Sequence, residues 1–157
     1  MNQFTESHLK SWKNDYLRLI NNQRYKLLED NVWFLGDRNG IISIFQEDEI
    51  CYITHSNSIY KTLKDILNVN KNNELVKLIL IHDLGMNENR IRSTSLSKSN
   101  INKVKKIIRQ FEYNMISIDS NHIEKVSNAF KVISDPIYNG HTSNLNKVLD
   151  DLPNKKS

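Results

Sequence analysis

The chain has 157 residues, the usual size of one domain, and 38% of them are hydrophobic, enough for a core that needs no disulfide staples. A charged fraction of 25% with a net charge of only +4 excludes a disordered polyelectrolyte. The longest apolar stretch, near Leu75–Ile81, is broken by Lys77 and is far short of the ~20 residues of a membrane helix, so no membrane association is expected.

The first ten residues are polar and lack an apolar h-region, so no signal peptide is expected. The single cysteine, Cys51, cannot form an internal disulfide, and it lies in an apolar run as a small buried hydrophobe would. Both observations suit a cytoplasmic setting. The charge is unevenly placed. From Arg90 to Arg109 there are seven basic residues and no acid, which permits an anionic partner.

Residues from about 4 to 28 read as an amphipathic helix, with Leu9, Trp12, Tyr16, Leu19 and Ile20 at helical spacing. The apolar run Val32–Leu35 ends at the turn-prone Gly36-Asp37-Arg38-Asn39-Gly40. Gly40–Phe45 and Glu49–Thr54 read as two strands of a hairpin around Gln46-Glu47-Asp48. The first is apolar almost throughout and is expected to be buried on both faces. Ser56 or Ser58 caps the next helix, whose apolar stripe is Ile59, Leu63, Ile66 and Leu67 and whose outer face carries Tyr60, Lys61 and Lys64.

A polar loop follows over 69–73. Glu74–Leu84 has the β-branched content of a strand, but its length, and Gly85 as a C-terminal cap, favour a helix. Met86–Ser97 reads as a polar loop. Lys98–Phe111 is an amphipathic helix, with Ile101, Val104, Ile108 and Phe111 on one face and Lys98, Lys105, Lys106 and Arg109 on the other. Tyr113–Ile118 alternates as a strand does. Asn121 and Glu124 have capping-box spacing before a helix that buries Ile123, Val126, Phe130 and Ile133 and stops at Pro136. A polar tail, 141–157, follows.

The late strand must join the hairpin, because a two-stranded ribbon is not stable alone. The expected architecture is α+β: a small three-stranded sheet, mixed or antiparallel, flanked by helices. A helical segment over 1–30 packs on a domain over 31–140.

This order resembles the GIY-YIG nuclease superfamily, which includes intron-homing endonucleases and some restriction enzymes. Gly40-Ile41-Ile42 stands at the place of the first motif and Tyr52-Ile53-Thr54 at that of the second. The segment His55–Leu63 resembles the family's loop and first helix, and Pro136-Ile137-Tyr138-Asn139 matches Pro-x-x-Asn after the last helix. The resemblance spans about residues 32–140. It implies a nuclease-like fold and a nucleic-acid partner held by backbone contacts. The departures are in the catalytic positions. Ile42 replaces a Tyr, Thr54 a Gly and Thr62 an Arg, and Ser127 or Asn128 stands where the family's metal-binding Glu would be. Ile42 takes no proton, Thr62 neutralises no phosphate, and neither Ser127 nor Asn128 anchors a hard divalent cation as a carboxylate does. Losing three such groups removes that hydrolytic mechanism.

Tyr52, the retained family Tyr, and His55, just past the second strand, are the candidate catalytic residues; each also fits an ordinary structural place. Glu124 is a candidate substitute ligand or a simple cap. The five histidines, at 8, 55, 82, 122 and 141, show no zinc-ligand spacing. No metal site and no cofactor are expected, with Mg²⁺ entering only for an active nuclease. The candidate nucleic-acid contacts are Lys98, Lys105, Lys106 and Arg109, extended by Arg90, Arg92, Lys61 and Lys64. The plain alternative is a solvated helix face. Three functions follow: a non-catalytic nucleic-acid-binding domain, an active metal-dependent nuclease with relocated groups such as Tyr52, His55 and Glu124, and a protein-interaction module without nucleic-acid affinity.

Overall fold

The computed structural model describes residues 5–119, 121–140 and 152–153. Among them the strands are β1 (Tyr25–Lys26), β2 (Gly40–Gln46), β3 (Glu49–Ser56) and β4 (Phe111–Ser117). The α-helices are α1 (Lys13–Asn21), α2 (Ile59–Leu67), α3 (Glu74–His82), α4 (Glu88–Ser93), α5 (Lys98–Ile108) and α6 (Ile123–Ser134). The apolar run Gly40–Phe45 is the centre of the sheet and is buried throughout. It lies between β3 and β4, so the hairpin and the late strand do share one sheet.

Every pairing in that sheet is antiparallel, one of the two expected arrangements, but it has four strands, in the order β1-β4-β2-β3, rather than the expected three. The added strand exists because the chain leaves α1 early and runs along the open edge of β4, pairing Tyr25 with Tyr113 and Lys26 with Glu112. The expected helix over 4–28 is therefore shorter. Glu6–Trp12 is a 3₁₀ segment interrupted at Lys10 (φ 54°), and α1 ends at Asn21. The sheet itself receives that end. Ser43 Oγ donates to the Leu19 carbonyl at 3.0 Å, and Asn114 Nδ2 donates to the Arg18 and Leu19 carbonyls at 2.9 and 3.1 Å. These bonds satisfy carbonyls that a helix C-terminus leaves open.

Gly40 is required where β2 meets β4. A Cβ there would lie 2.1 Å from the Ile116 carbonyl oxygen and 2.7 Å from Ile59 Cδ1. In β3 the register jumps from Ile44↔Tyr52 to Phe45↔Ile50, leaving Cys51 as a bulge. The extra residue turns Cys51 and Tyr52 into the same core. That core lies under α2–α5 and joins Ile42, Ile44 and Tyr113 to Leu63, Val76, Ile79 and Val104. On the other face Ile41, Ile53 and Ile116 pack against Trp12, Tyr16 and Leu19 from the N-terminal segment and Val126 and Phe130 from α6.

Helix boundaries follow local chemistry. Ser58 caps α2, its Oγ accepting from Lys61 N–H at 3.3 Å, while Ser56 Oγ accepts from Ser58 N–H at 3.0 Å. The ambiguous segment after 73 is the helix α3. Asn73 caps it, and a left-handed Gly85 (φ 67°) lets Met86 N–H close on the Leu80 carbonyl at 3.0 Å. The expected loop 86–97 contains α4, which Asn87 caps and which buries only Ile91. One apolar residue leaves no periodicity to read. The expected capping box of Asn121 and Glu124 does not form; α6 starts after His122 without a side-chain cap. It stops at a left-handed Asp135 before Pro136.

Of the polar tail, residues 141–151 and 154–157 lie outside the described residues. Leu152 is buried in the second core, and Trp12 Nε1 and Lys10 Nζ donate to the carbonyls of Pro153 and Leu152 at 2.6 and 3.2 Å. Among the described residues no helix is long and apolar enough to cross a membrane.

Candidate functional site

The outer edge of β3 would expose its backbone polar groups, and an exposed edge needs a partner. Pro136-Ile137-Tyr138-Asn139 supplies one. The Asn139 side chain accepts from Ile53 N–H at 2.8 Å and donates to the Ile53 carbonyl at 3.0 Å. Tyr138 N–H donates to the Cys51 carbonyl at 2.9 Å. The segment thus caps the edge as a short pseudo-strand.

Beyond that cap, α3 and α6 leave a cleft of about 360 Å³ lined by Glu74, Lys77, Asn128, Lys131, Tyr138 and Asn139, among others. Glu124, Asn128 and Lys131 recur at i, i+4 and i+7 and share one stripe of α6. Among the described residues Lys131 has no ion pair. Burial draws its ammonium below the usual lysine pKa, and the Glu74 and Glu124 carboxylates partly oppose that shift. At the rim Glu88 accepts from Lys77 at 2.5 Å and from Arg92 at 3.2 Å. The arrangement sets one desolvated cation, Lys131, and the Asn128 amide in a cleft that the Glu74 carboxylate also lines.

The two candidate catalytic residues are not brought together. Tyr52 is buried under α3, and its hydroxyl donates to Glu74 Oε1 at 2.9 Å. Desolvation, with the Glu74 charge added, pushes its pKa well above the usual tyrosine range, so Tyr52 keeps its proton at neutral pH. His55 pairs across the sheet with Ile41 and so faces the opposite side. Its Nδ1 is buried without a hydrogen-bond partner. The other positions named in that resemblance lie inside the fold. Ile42 is fully buried, and Thr62 shares a 2.6 Å hydrogen bond with Ser56. Ser127 is fully buried, and its Oγ lacks a partner. Among the described residues no group of three or more His, Cys, Asp or Glu is placed to hold a metal ion.

The candidate basic contacts stand on α2, α4 and α5 and just after α5. On α5 the buried side is Val104 and Ile108, with Ile101 and Ile107 partly buried. Lys98, Lys105 and the following Arg109 recur at i, i+7 and i+11 and are exposed; Lys103 and Lys106 widen the arc. Among the described residues none of these five enters an ion pair. Lys61, exposed on α2, stands on the helix that packs beside α5. Lys64 is held by Glu29 at 2.5 Å and Arg92 by Glu88, so these two cations are partly neutralised; Arg90 is exposed on α4 and has no ion pair among the described residues.

Three features are not legible in the sequence. Lys131 and Glu74 meet only through the packing of α3 and α6, although the Glu124, Asn128, Lys131 stripe is visible in the spacing. The Asn139 bonds to Ile53 link residues 86 positions apart. Of the run Val32–Leu35, the two ends are buried, while Trp33 and Phe34 stand in solvent. No family model, no curated protein and no solved structure matches the chain.

Proposed function

We propose that the chain is a nucleic-acid-binding domain without nuclease activity, on a GIY-YIG-like scaffold whose catalytic positions have been given over to structure. The observation that carries this reading is the uncompensated basic arc of α5. Five cations without an ion pair among the described residues cost self-repulsion, which a polyanion relieves by releasing its own counterions. Lysine and arginine side chains on an exposed helix face would touch phosphates rather than base edges, so the arc binds without sequence readout. The loss of catalysis is supported by the buried Ile42, the Thr62–Ser56 bond, and the proton that Tyr52 keeps for Glu74.

The test incubates the chain with labelled duplex and single strands across a salt series, with and without Mg²⁺, and reads binding and cleavage from one gel. Binding that weakens steeply with salt, no cleavage, and unchanged binding by Tyr52→Phe are expected. Mg²⁺-dependent nicking that Tyr52→Phe suppresses would instead establish an active nuclease. An absence of binding at low salt would leave a protein-interaction module.

A further inference from the structure

Trp33 and Phe34 are 66% and 55% exposed, in edge-to-face contact with ring centroids 5.9 Å apart. Large aromatics of this exposure gain nothing for the fold, since burial is what makes them stabilising. Phe34 lines a cleft of about 500 Å³, within the range of small-ligand pockets, and Trp33 adjoins it through that ring contact. Its aromatic walls are Phe34, Tyr25 and Tyr113, the two tyrosine rings lying 6.0 Å apart. Its polar lining includes Asn22, Gln23 and Arg38, with no carboxylate. Among the described residues the side chains of Asn22, Gln23 and Arg38 have no hydrogen-bond or ion-pair partner, so donors and acceptors are open at its mouth. The Lys64–Glu29 ion pair ties α2, which packs beside α5, to the turn that precedes Trp33.

We propose that this cleft takes the bases of single-stranded nucleic acid, with Trp33, Phe34 and Tyr25 as stacking surfaces and Arg38 on the backbone. The proposal rests on the nucleic-acid reading above and adds a strand preference to it. Stacking needs a free π-face, which a duplex withholds and a single strand offers. A carboxylate-free lining with one cation matches a planar ligand on a polyanionic chain, and open amides match base edges, which carry both donors and acceptors.

The chain contains two tryptophans, and Trp12 is 2% exposed, so emission changes report Trp33. The experiment titrates the full chain with oligothymidylate and with a duplex of equal length, following tryptophan emission and the anisotropy of the labelled strand together. Oligothymidylate is expected to quench the emission and the duplex to leave it nearly unchanged. Trp33→Leu, at an exposed position that leaves the fold intact, is expected to weaken single-strand binding about tenfold and spare duplex binding. Phe34→Leu, which keeps the tryptophan, weakens the single strand in the same direction. Single-strand binding without quenching, or Trp33→Leu leaving it intact, overturns the stacking site while the α5 reading stands. Quenching that persists in Lys105→Glu/Lys106→Glu/Arg109→Glu with duplex binding unaltered overturns the α5 reading and leaves the stacking site standing. Binding of neither strand overturns both.

Discussion

Truncating Asn139 to alanine removes the pair of bonds that closes the edge of β3. The side chain holds the N–H of Ile53 at 2.8 Å and its carbonyl at 3.0 Å, and Ile53 is fully buried. Alanine leaves both backbone groups without their partner. Each costs about 1–3 kcal/mol if water reaches it poorly, so the loss is about 2–6 kcal/mol. For a chain of this size that lowers Tm by about 4–24 °C. The measurement is urea and thermal unfolding followed by circular dichroism. Ile137→Ala is the control in the same turn, because Ile137 is exposed and holds no strand; it is expected to stay within about 0.5 kcal/mol. If Asn139→Ala behaves like that control, the pseudo-strand is not what secures the edge, and the structural account of Pro136–Asn139 fails.

Gly40→Ala forces a Cβ to 2.1 Å from the Ile116 carbonyl oxygen in the sheet centre and is expected to destabilise by about 3 kcal/mol, read by denaturant unfolding; a neutral substitution would contradict the close approach. Cys51 is fully buried, and burial pushes its thiol up to about 12, so iodoacetamide at pH 8 is expected to modify it only after unfolding; native labelling at the unfolded rate would contradict this. Burial lowers the folded-state pKa of Lys131, so between that value and the unfolded lysine value the unfolded chain binds more protons. Stability therefore rises with pH through that window, and Lys131→Met is expected to raise the urea midpoint at pH 7 and flatten the rise toward pH 10. A variant less stable at pH 7 would contradict the desolvated ammonium.

Long periodic segments are legible in the chain, and short or opportunistic ones are not. The run Gly40–Phe45 announces a strand buried on both faces, and the stripes of α2, α5 and α6 announce their buried sides. Strand β1 is two residues long and owes its existence to the edge of β4, which no local pattern encodes. Helix α1 ends where Ser43 and Asn114 receive its carbonyls, a tertiary event that stops a pattern still helical in sequence. The pairing of Tyr52 with His55 as a catalytic couple has a local objection. An odd separation within a strand sends two side chains to opposite faces, and they lie there. The bulge at Cys51 and the α3–α6 cleft depend on packing between distant segments, so Glu74, Lys131 and Asn139 carry no joint signal.

The salt dependence of duplex binding tests the central claim most directly. Each cation that contacts a phosphate contributes about 0.9 to the slope of log affinity against log salt. Reversing Lys105, Lys106 and Arg109 to glutamate is expected to flatten that slope by at least about 2.7 while circular dichroism stays unchanged. Parallel slopes for the two proteins would show that phosphates do not lie on α5.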